Sequence, residues 1–230
     1  MFFITTVCYH DQMDLHARNK NIVGVMFDKQ PYETTICGID VTVCKGAFPS
    51  DLGLTTTYLI EMAKSYSPTK ALDMGCGLGV IAIALKKMGV PEVWAADYHE
   101  PAIECARKNA LRQKNFGEIT IVLSDLFENI PPEQVFDLII FNHPYAPQNS
   151  TKRRFGKDGK GGKEVIARFF DQAILYTNHD SKILMPYSEI AGEEHNPDSI
   201  SRDFNLQSTK VFETTDKEGR LHAIYEFSKN

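Results

Sequence analysis

The chain has no apolar run near the ~20 residues that a membrane-spanning helix needs, so no segment is expected to enter a bilayer. It has no C-x-x-C pair, which removes the usual ligand spacing of a structural zinc site. Its five cysteines are an odd number without framework spacing, so reduced thiols and a cytoplasmic setting are expected. The apolar start Met1-Phe2-Phe3-Ile4 lacks a basic leader and is soon followed by Asp11 and Asp14, which argues against a secretory signal. Positive charge is also in deficit. A net charge of −5 excludes broad nonspecific binding to nucleic acid, though not a local basic site. What remains is an ordinary globular composition whose 230 residues suit one α/β domain with a modest extension.

The organising stretch is Ala71-Leu72-Asp73-Met74-Gly75-Cys76-Gly77-Leu78-Gly79-Val80. It predicts a buried strand from Lys70 to Asp73, a glycine turn, and a helix from Leu78 to Met88. Glycines at alternate positions let the backbone turn sharply and approach a ligand, with the first helical N–H groups facing the same space. Doubly wound α/β sheets hold nucleotide-like cofactors at such places. The dinucleotide fingerprint G-x-G-x-x-G admits a pyrophosphate; here the spacing is G-x-G-x-G, with Asp73 two residues ahead. A carboxylate disfavours a pyrophosphate and favours a cation. S-adenosylmethionine carries a sulfonium and an ammonium and no phosphate, so Asp73, Gly75, Cys76, Gly77 and Gly79 are the expected cradle of its methionine end.

A second unit follows. Glu92 to Ala96 reads as a strand ending in Asp97, and Glu100 to Lys114 as a helix with Pro101 in its first turn and Ile103, Ala106, Ala110 and Leu111 on its buried face. An acid at the end of the second strand can accept from both ribose hydroxyls, and Tyr98 is placed to pack on adenine. Ile119 to Leu123 is a third strand. Asp125 after it can accept the adenine amino group, and the Leu126 N–H can reach a ring nitrogen. Upstream, Gly46 to Leu54 is a loop, and Thr55-Thr56-Thr57 leads into the helical run Tyr58 to Ala63 with a threonine as N-cap.

The fourth strand, Phe136 to Phe141, runs into Asn142-His143-Pro144-Tyr145. An exocyclic amine or carboxamide nitrogen is a poor nucleophile because its lone pair is conjugated. Methyl transfer from a sulfonium is an in-line displacement and needs that lone pair aimed. The Asn142 side-chain oxygen and the carbonyl of residue 143 can each accept one N–H, orienting the nitrogen and favouring the charge that develops on it. Asn142 also borders the cofactor. Pro144 fixes the turn, and Tyr145 offers a flat face to a planar substrate. His143 as a general base is the lesser reading, since the product proton is acidic enough to leave to water.

Together, D-x-G-x-G-x-G and Asn-His-Pro-Tyr resemble motif I and the N-P-P-Y motif of class I SAM-dependent methyltransferases, in the methyltransferase small domain group. That group includes the HemK-type glutamine methyltransferases and rRNA guanine amine methyltransferases. Gly46-Ala47-Phe48 and the run Gly156 to Ile166 resemble further segments of these enzymes. His143 replaces the first proline, which leaves the carbonyl in place and puts loop rigidity and substrate class in question. The resemblance implies a seven-stranded, mostly parallel sheet finished by an antiparallel hairpin. The hairpin matches Lys210 to Thr214 and Leu221 to Phe227, joined by the turn Asp216 to Gly219. Lys163 to Tyr176 is an expected helix, Lys182 to Tyr187 a strand, and Asp198 to Phe204 a short helix.

Residues 1–45 are expected to be a β-rich extension, with β-type composition at Phe2 to Val7 and Ile36 to Val43 and a turn or bulge at Gly38, and residues 46–230 the methyltransferase domain. Asp11 to Lys20 is a polar loop or short helix. The basic stretch Thr151 to Lys157 is a lid or a solvated loop. The activity expected is N-methylation of a planar amide, amidine or amine. The acidic balance and the lack of a large N-terminal recognition domain tilt the acceptor toward a small molecule or small protein; protein glutamine and RNA are the alternatives. A non-catalytic SAM-binding subunit is opposed by the intact Asn-x-Pro-Tyr, and a dehydrogenase by Asp73 and the glycine spacing.

Overall fold

The computed structural model describes residues 22–50, 54–113, 117–143 and 162–230. The first described elements are helix α1 (Ile22–Lys29), strand β1 (Tyr32–Ile36) and strand β2 (Ile39–Val43). β1 and β2 form an antiparallel hairpin whose turn is Cys37-Gly38. The turn at Gly38 was expected; α1 and the residues Tyr32 to Thr35 as strand were not. The segments Phe2 to Val7 and Asp11 to Lys20 lie outside the described residues.

Next come α2 (Leu54–Ala63), β3 (Lys70–Met74), α3 (Val80–Lys87), β4 (Glu92–Asp97), α4 (Glu100–Arg112), β5 (Thr120–Leu123) and β6 (Leu138–Phe141). The chain continues through α5 (Lys163–Ala173), β7 (Lys182–Ser188), α6 (Pro197–Ser201), β8 (Leu206–Thr215) and β9 (Leu221–Lys229). The main sheet has seven strands in the order β5-β4-β3-β6-β7-β9-β8. β5 to β7 run parallel, and β9 pairs antiparallel with both β7 and β8. This is the expected architecture. After β3 the chain builds toward β4 and β5 on one side and returns to β6 on the other, so a crevice opens between the carboxyl ends of β3 and β6.

Central strands covered on both faces read as continuous apolar runs. Leu138-Ile139-Ile140-Phe141 is buried throughout. One face of the sheet packs α3 and α4 residues such as Ile83, Leu85 and Ile103; the other packs an aromatic set including Phe136, Phe169, Phe170 and Phe227. Phe170 is fully buried and edge-on to Phe227 at 5.0 Å between ring centroids. Truncation to alanine there is expected to cost about 3–5 kcal/mol.

Three local expectations are corrected. The threonines do not cap α2. They lie inside its first turn and are buried, because the helix begins at Leu54 and presents Thr55, Thr56 and Thr57 to the sheet and hairpin. On α4, Leu111 is 85% exposed, and the inner face carries Asn109 instead. Asn109 accepts from Thr42 N at 2.8 Å and donates to Thr42 O and Leu78 O, both at 3.0 Å. Its polar atoms are satisfied, and it ties the hairpin to the end of the glycine turn. Finally, Cys44 and Cys105 are joined by a disulfide with Cα atoms 5.7 Å apart. Odd number and irregular spacing speak only against a full framework; packing of the hairpin on α4 brings this one pair together across 61 residues. Cys37 and Cys76 keep their thiols. The thiol argument for a reducing compartment therefore loses Cys44 and Cys105. Among the described residues no helix is long and apolar enough to cross a membrane, and no group of three or more His, Cys, Asp or Glu is placed to hold a metal.

Candidate active site

The crevice is built first from backbone. β3 ends at Met74 and the chain turns through Gly75, Gly77 and Gly79, all at positive φ. Two of these glycines are needed for identifiable reasons. Gly77, at φ 52°, presents its N–H to Asp97 Oδ2 at 2.9 Å. Gly79, at φ 78°, packs so closely on α4 that a Cβ there would lie 3.1 Å from the Ala106 Cβ and 3.2 Å from its Cα. Any side chain at 79 would strain the backbone and push α3 off α4.

Asp73 is 1% exposed. Its Oδ2 accepts from Ala82 N at 3.0 Å, so this strand residue caps the first turn of α3, whose own N-cap position is Gly79. Its Oδ1 is buried and makes no hydrogen bond among the described residues. Burial lifts the Asp73 carboxyl to about 8; the Ala82 N–H opposes the rise and the Asp97 charge adds to it. An acid with one buried oxygen unsatisfied fits a cationic ligand group. Cys76 between the glycines is also buried, and burial holds its thiol well above the ordinary range, so it is no nucleophile.

Asp97 ends β4 with both oxygens engaged by backbone. Oδ2 takes Gly77 N, and Oδ1 takes His99 N at 2.9 Å. Burial raises its carboxyl, and these N–H groups pull it back. Each carboxylate oxygen retains lone-pair capacity, as a pair of ribose hydroxyls requires. Tyr98 beside it is exposed. Partial burial, then the charges of Asp97 and Asp125, push its phenol up.

Asp97 pairs in register with Leu123, so the turn after β5 adjoins Tyr98. There Ser124 N donates to Asp97 O at 2.8 Å, and Ser124 Oγ donates to Leu126 O at 2.7 Å. Leu126 is at φ 51°, a rare conformation for a leucine, and its side chain is buried. Asp125 accepts from Arg168 of α5 at 3.0 Å in an exposed pair. Arg168 has no signal in the sequence, since the ion pair spans 43 residues and joins two separate elements.

The opposite wall is the end of β6. Asp73 is in register with Ile140 and Met74 with Phe141, which puts Asn142 beside the glycine turn. The Asn142 amide Nδ2 donates to Thr56 Oγ1 at 3.1 Å. Thr56 is 3% exposed. With its NH₂ turned to Thr56, the Asn142 carbonyl oxygen faces the other way. His143 is buried, and its Nε2 lies 2.9 Å from Pro186 O, so it donates. The imidazole is thus directed into the protein, edge-on to Phe141. Pro144, Tyr145 and the basic stretch Thr151 to Lys157 lie outside the described residues.

The sheet order, a glycine turn with an acid ahead of it, and an acid closing the next strand define the class I SAM-dependent methyltransferases. The chain belongs to the methyltransferase small domain family, whose sequence profile matches residues 40–175. It is 34% identical over 139 residues to a release factor glutamine methyltransferase of Rhodopirellula baltica, covering 55% of this chain and 47% of that protein. It is 33% identical over 129 residues to a putative protein N5-glutamine methyltransferase of Methanocaldococcus jannaschii, covering 54% of this chain and 64% of that one. The chain therefore spans about half to two thirds of the length of these relatives. Among solved structures, the T. thermophilus 16S rRNA N2 methyltransferase in complex with AdoMet and guanosine superposes with a TM-score of 0.63 at 17% identity. That match covers 87% of this chain and 50% of the other, and it shows the shared fold.

Proposed function

We propose that the protein transfers the methyl group of S-adenosylmethionine to a planar nitrogen, with a protein glutamine carboxamide as the first candidate acceptor and an exocyclic base amine of RNA as the second. The bound cofactor supplies an electrophilic methyl carbon on a sulfonium; the rest is done by the chain. Asp73 and the glycine turn hold the cationic methionine end, Asp97 the ribose, and Asp125 with the Leu126 N–H the adenine, against Tyr98. Asn142 Oδ1 and the residue 143 carbonyl accept the two N–H groups of the acceptor and aim its lone pair. Both acceptors also favour positive charge developing on that nitrogen. The buried, inward-bonded His143 supports a structural role for its ring.

The observation that carries this reading is the Asn142 carboxamide, held by Thr56 at the carboxyl end of β6 beside the glycine turn. A scaffold that only bound the cofactor would have no use for it. The two glutamine methyltransferase relatives support a protein acceptor. The expectation of a small-molecule acceptor draws no support from the relatives, which are named for protein and RNA.

The test is transfer of label from methyl-labelled S-adenosylmethionine into extract separated into protein, RNA and small molecules. Label in protein that yields methylglutamine on hydrolysis supports the first acceptor, and label in RNA replaces it with the second. Label confined to small molecules overturns both.

A further inference from the structure

Residues 44–50 follow β2 and lie against the cofactor crevice. A Cβ on Gly46 would meet the Pro101 ring at 3.5 Å, and one on Gly77 would lie 3.6 Å from Ser50 Oγ. The segment thus runs from the start of α4 to the glycine turn. The Cys44–Cys105 disulfide ties its first residue to α4, and one distant side chain holds the residues beyond it. Gln30, just after α1, accepts from Gly46 N at 2.8 Å and donates to Ala47 O at 2.6 Å. The carboxamide thus clamps the turn that Ala47 N closes on Cys44 O at 3.1 Å, holding it from outside by an N–H and a C=O. The Gly46 carbonyl in turn takes His99 Nε2 at 3.2 Å, and His99 N donates to Asp97 Oδ1 at 2.9 Å.

We propose that residues 44–50 form a strap along the cofactor pocket and that Gln30 and His99 are positioning residues for S-adenosylmethionine binding, acting through the strap and Asp97. The inference rests on the assignment of Asp97 to the ribose. An unbroken path of three contacts leads from Gln30 to the Asp97 carboxylate, through Gly46 and His99, and a fourth continues from Asp97 to the Gly77 amide of the glycine turn. Losing the Gln30 end leaves the strap tied at Cys44 and loosens Gly46, the partner of His99. The carboxylate that must meet both hydroxyls is then no longer held in one orientation, and binding must supply the order that the free protein lacks.

The experiment is S-adenosylmethionine titration by calorimetry on the full chain, with Gln30→Leu, Gln113→Leu and Asp97→Ala compared. Gln113 also holds the hairpin, donating to Asp40 O at 3.0 Å, but it touches neither strap nor acid. Gln30→Leu is expected to weaken binding about tenfold, the order set by two hydrogen bonds of ordinary net strength. Gln113→Leu is expected to leave affinity unchanged, and turnover of Gln30→Leu at saturating cofactor should stay within about twofold of the parent. Equal losses in the two glutamine variants, or none in Gln30→Leu, overturn the proposal. If Asp97→Ala binds normally, the ribose assignment falls and takes the strap with it. If Asp97→Ala binds poorly and Gln30→Leu binds normally, only the strap proposal falls. Should Gln30→Leu fold poorly, Gln30→Glu decides: it keeps the acceptor for Gly46 N, sets a carboxylate oxygen against Ala47 O, and must show the same loss of affinity.

Discussion

The two walls of the crevice are made in different ways. The β3–β4 wall is backbone chemistry: Asp73 takes the Ala82 N–H, Asp97 takes those of Gly77 and His99, and glycines supply the positive φ values. The β6 wall is tertiary chemistry. Asn142 depends on Thr56 across 86 residues, and His143 depends on Pro186 across 43. A wall held by backbone contacts fails first at its own residues, and the proposed Gln30 strap is its one hold from outside. A wall built from distant partners can be broken from another element without touching the residue that acts.

The largest expected effect falls on the β6 wall. Asn142→Ala should lower turnover by roughly 10²–10³, as removal of a group that orients and stabilises the reacting centre does, with cofactor affinity within a few-fold by titration. A collapse of affinity as well would show that the walls do not divide the work. Asp97→Ala should do the reverse, raising the cofactor dissociation constant roughly tenfold to a hundredfold for loss of charged hydrogen bonds, with turnover near normal at saturating cofactor. Thr56→Val, of similar shape, should lower turnover about tenfold through loss of one hydrogen bond without altering cofactor affinity, and Thr56→Ser should restore it. If serine fails to rescue, the threonine serves packing and the distant-partner description of that wall is wrong.

The smallest effect concerns Asp73. Its carboxyl is raised to about 8 in the folded protein, above its ordinary value. The folded state therefore holds a proton that the unfolded state has released. The associated stabilisation is complete below the ordinary carboxylate pKa and is lost as pH rises through about 8. The cofactor-free protein should melt at progressively lower temperature as pH rises from about 4 to about 8 and level off above, and Asp73→Asn should flatten that trend. A cationic ligand favours the carboxylate, so binding near neutral pH should release a proton. Calorimetry in buffers of different ionisation enthalpy detects this, and equal heats in all buffers would place the cation elsewhere.

The contrast between the walls also explains what could be read from the chain alone. The individual strands, the antiparallel finish and the position of the glycine turn are legible because each is written in adjacent residues, as apolar runs, turn glycines and acids at strand ends, whereas the seven-stranded sheet follows from the resemblance that the two motifs carry. Gln30, Thr56, His99 and Arg168 were not, since each is defined by a partner that only the folded chain supplies. Three hydroxyl residues in a row at the start of an apolar helix were a signal of sorts, because such residues are poor helix formers and are seldom buried without a task. Their place ahead of the helical run suggests instead that one of them is an N-cap. Leu111 shows the opposite failure: helical periodicity placed it inward, and the polar Asn109 took that face because it could satisfy the Thr42 backbone. The pairing of Cys44 with Cys105 follows from the hairpin lying on α4, which no count of cysteines contains.

The strand order at the far edge has a bearing on synthesis. β9 lies between β7 and β8 although β8 precedes it in the chain. Until residues 221–229 emerge from the ribosome, residues 206–215 have no ladder partner, and the β7 edge stands open. A nascent chain halted in between exposes two unpaired edges, each a template for pairing with another chain. Completion of one strand closes both at once.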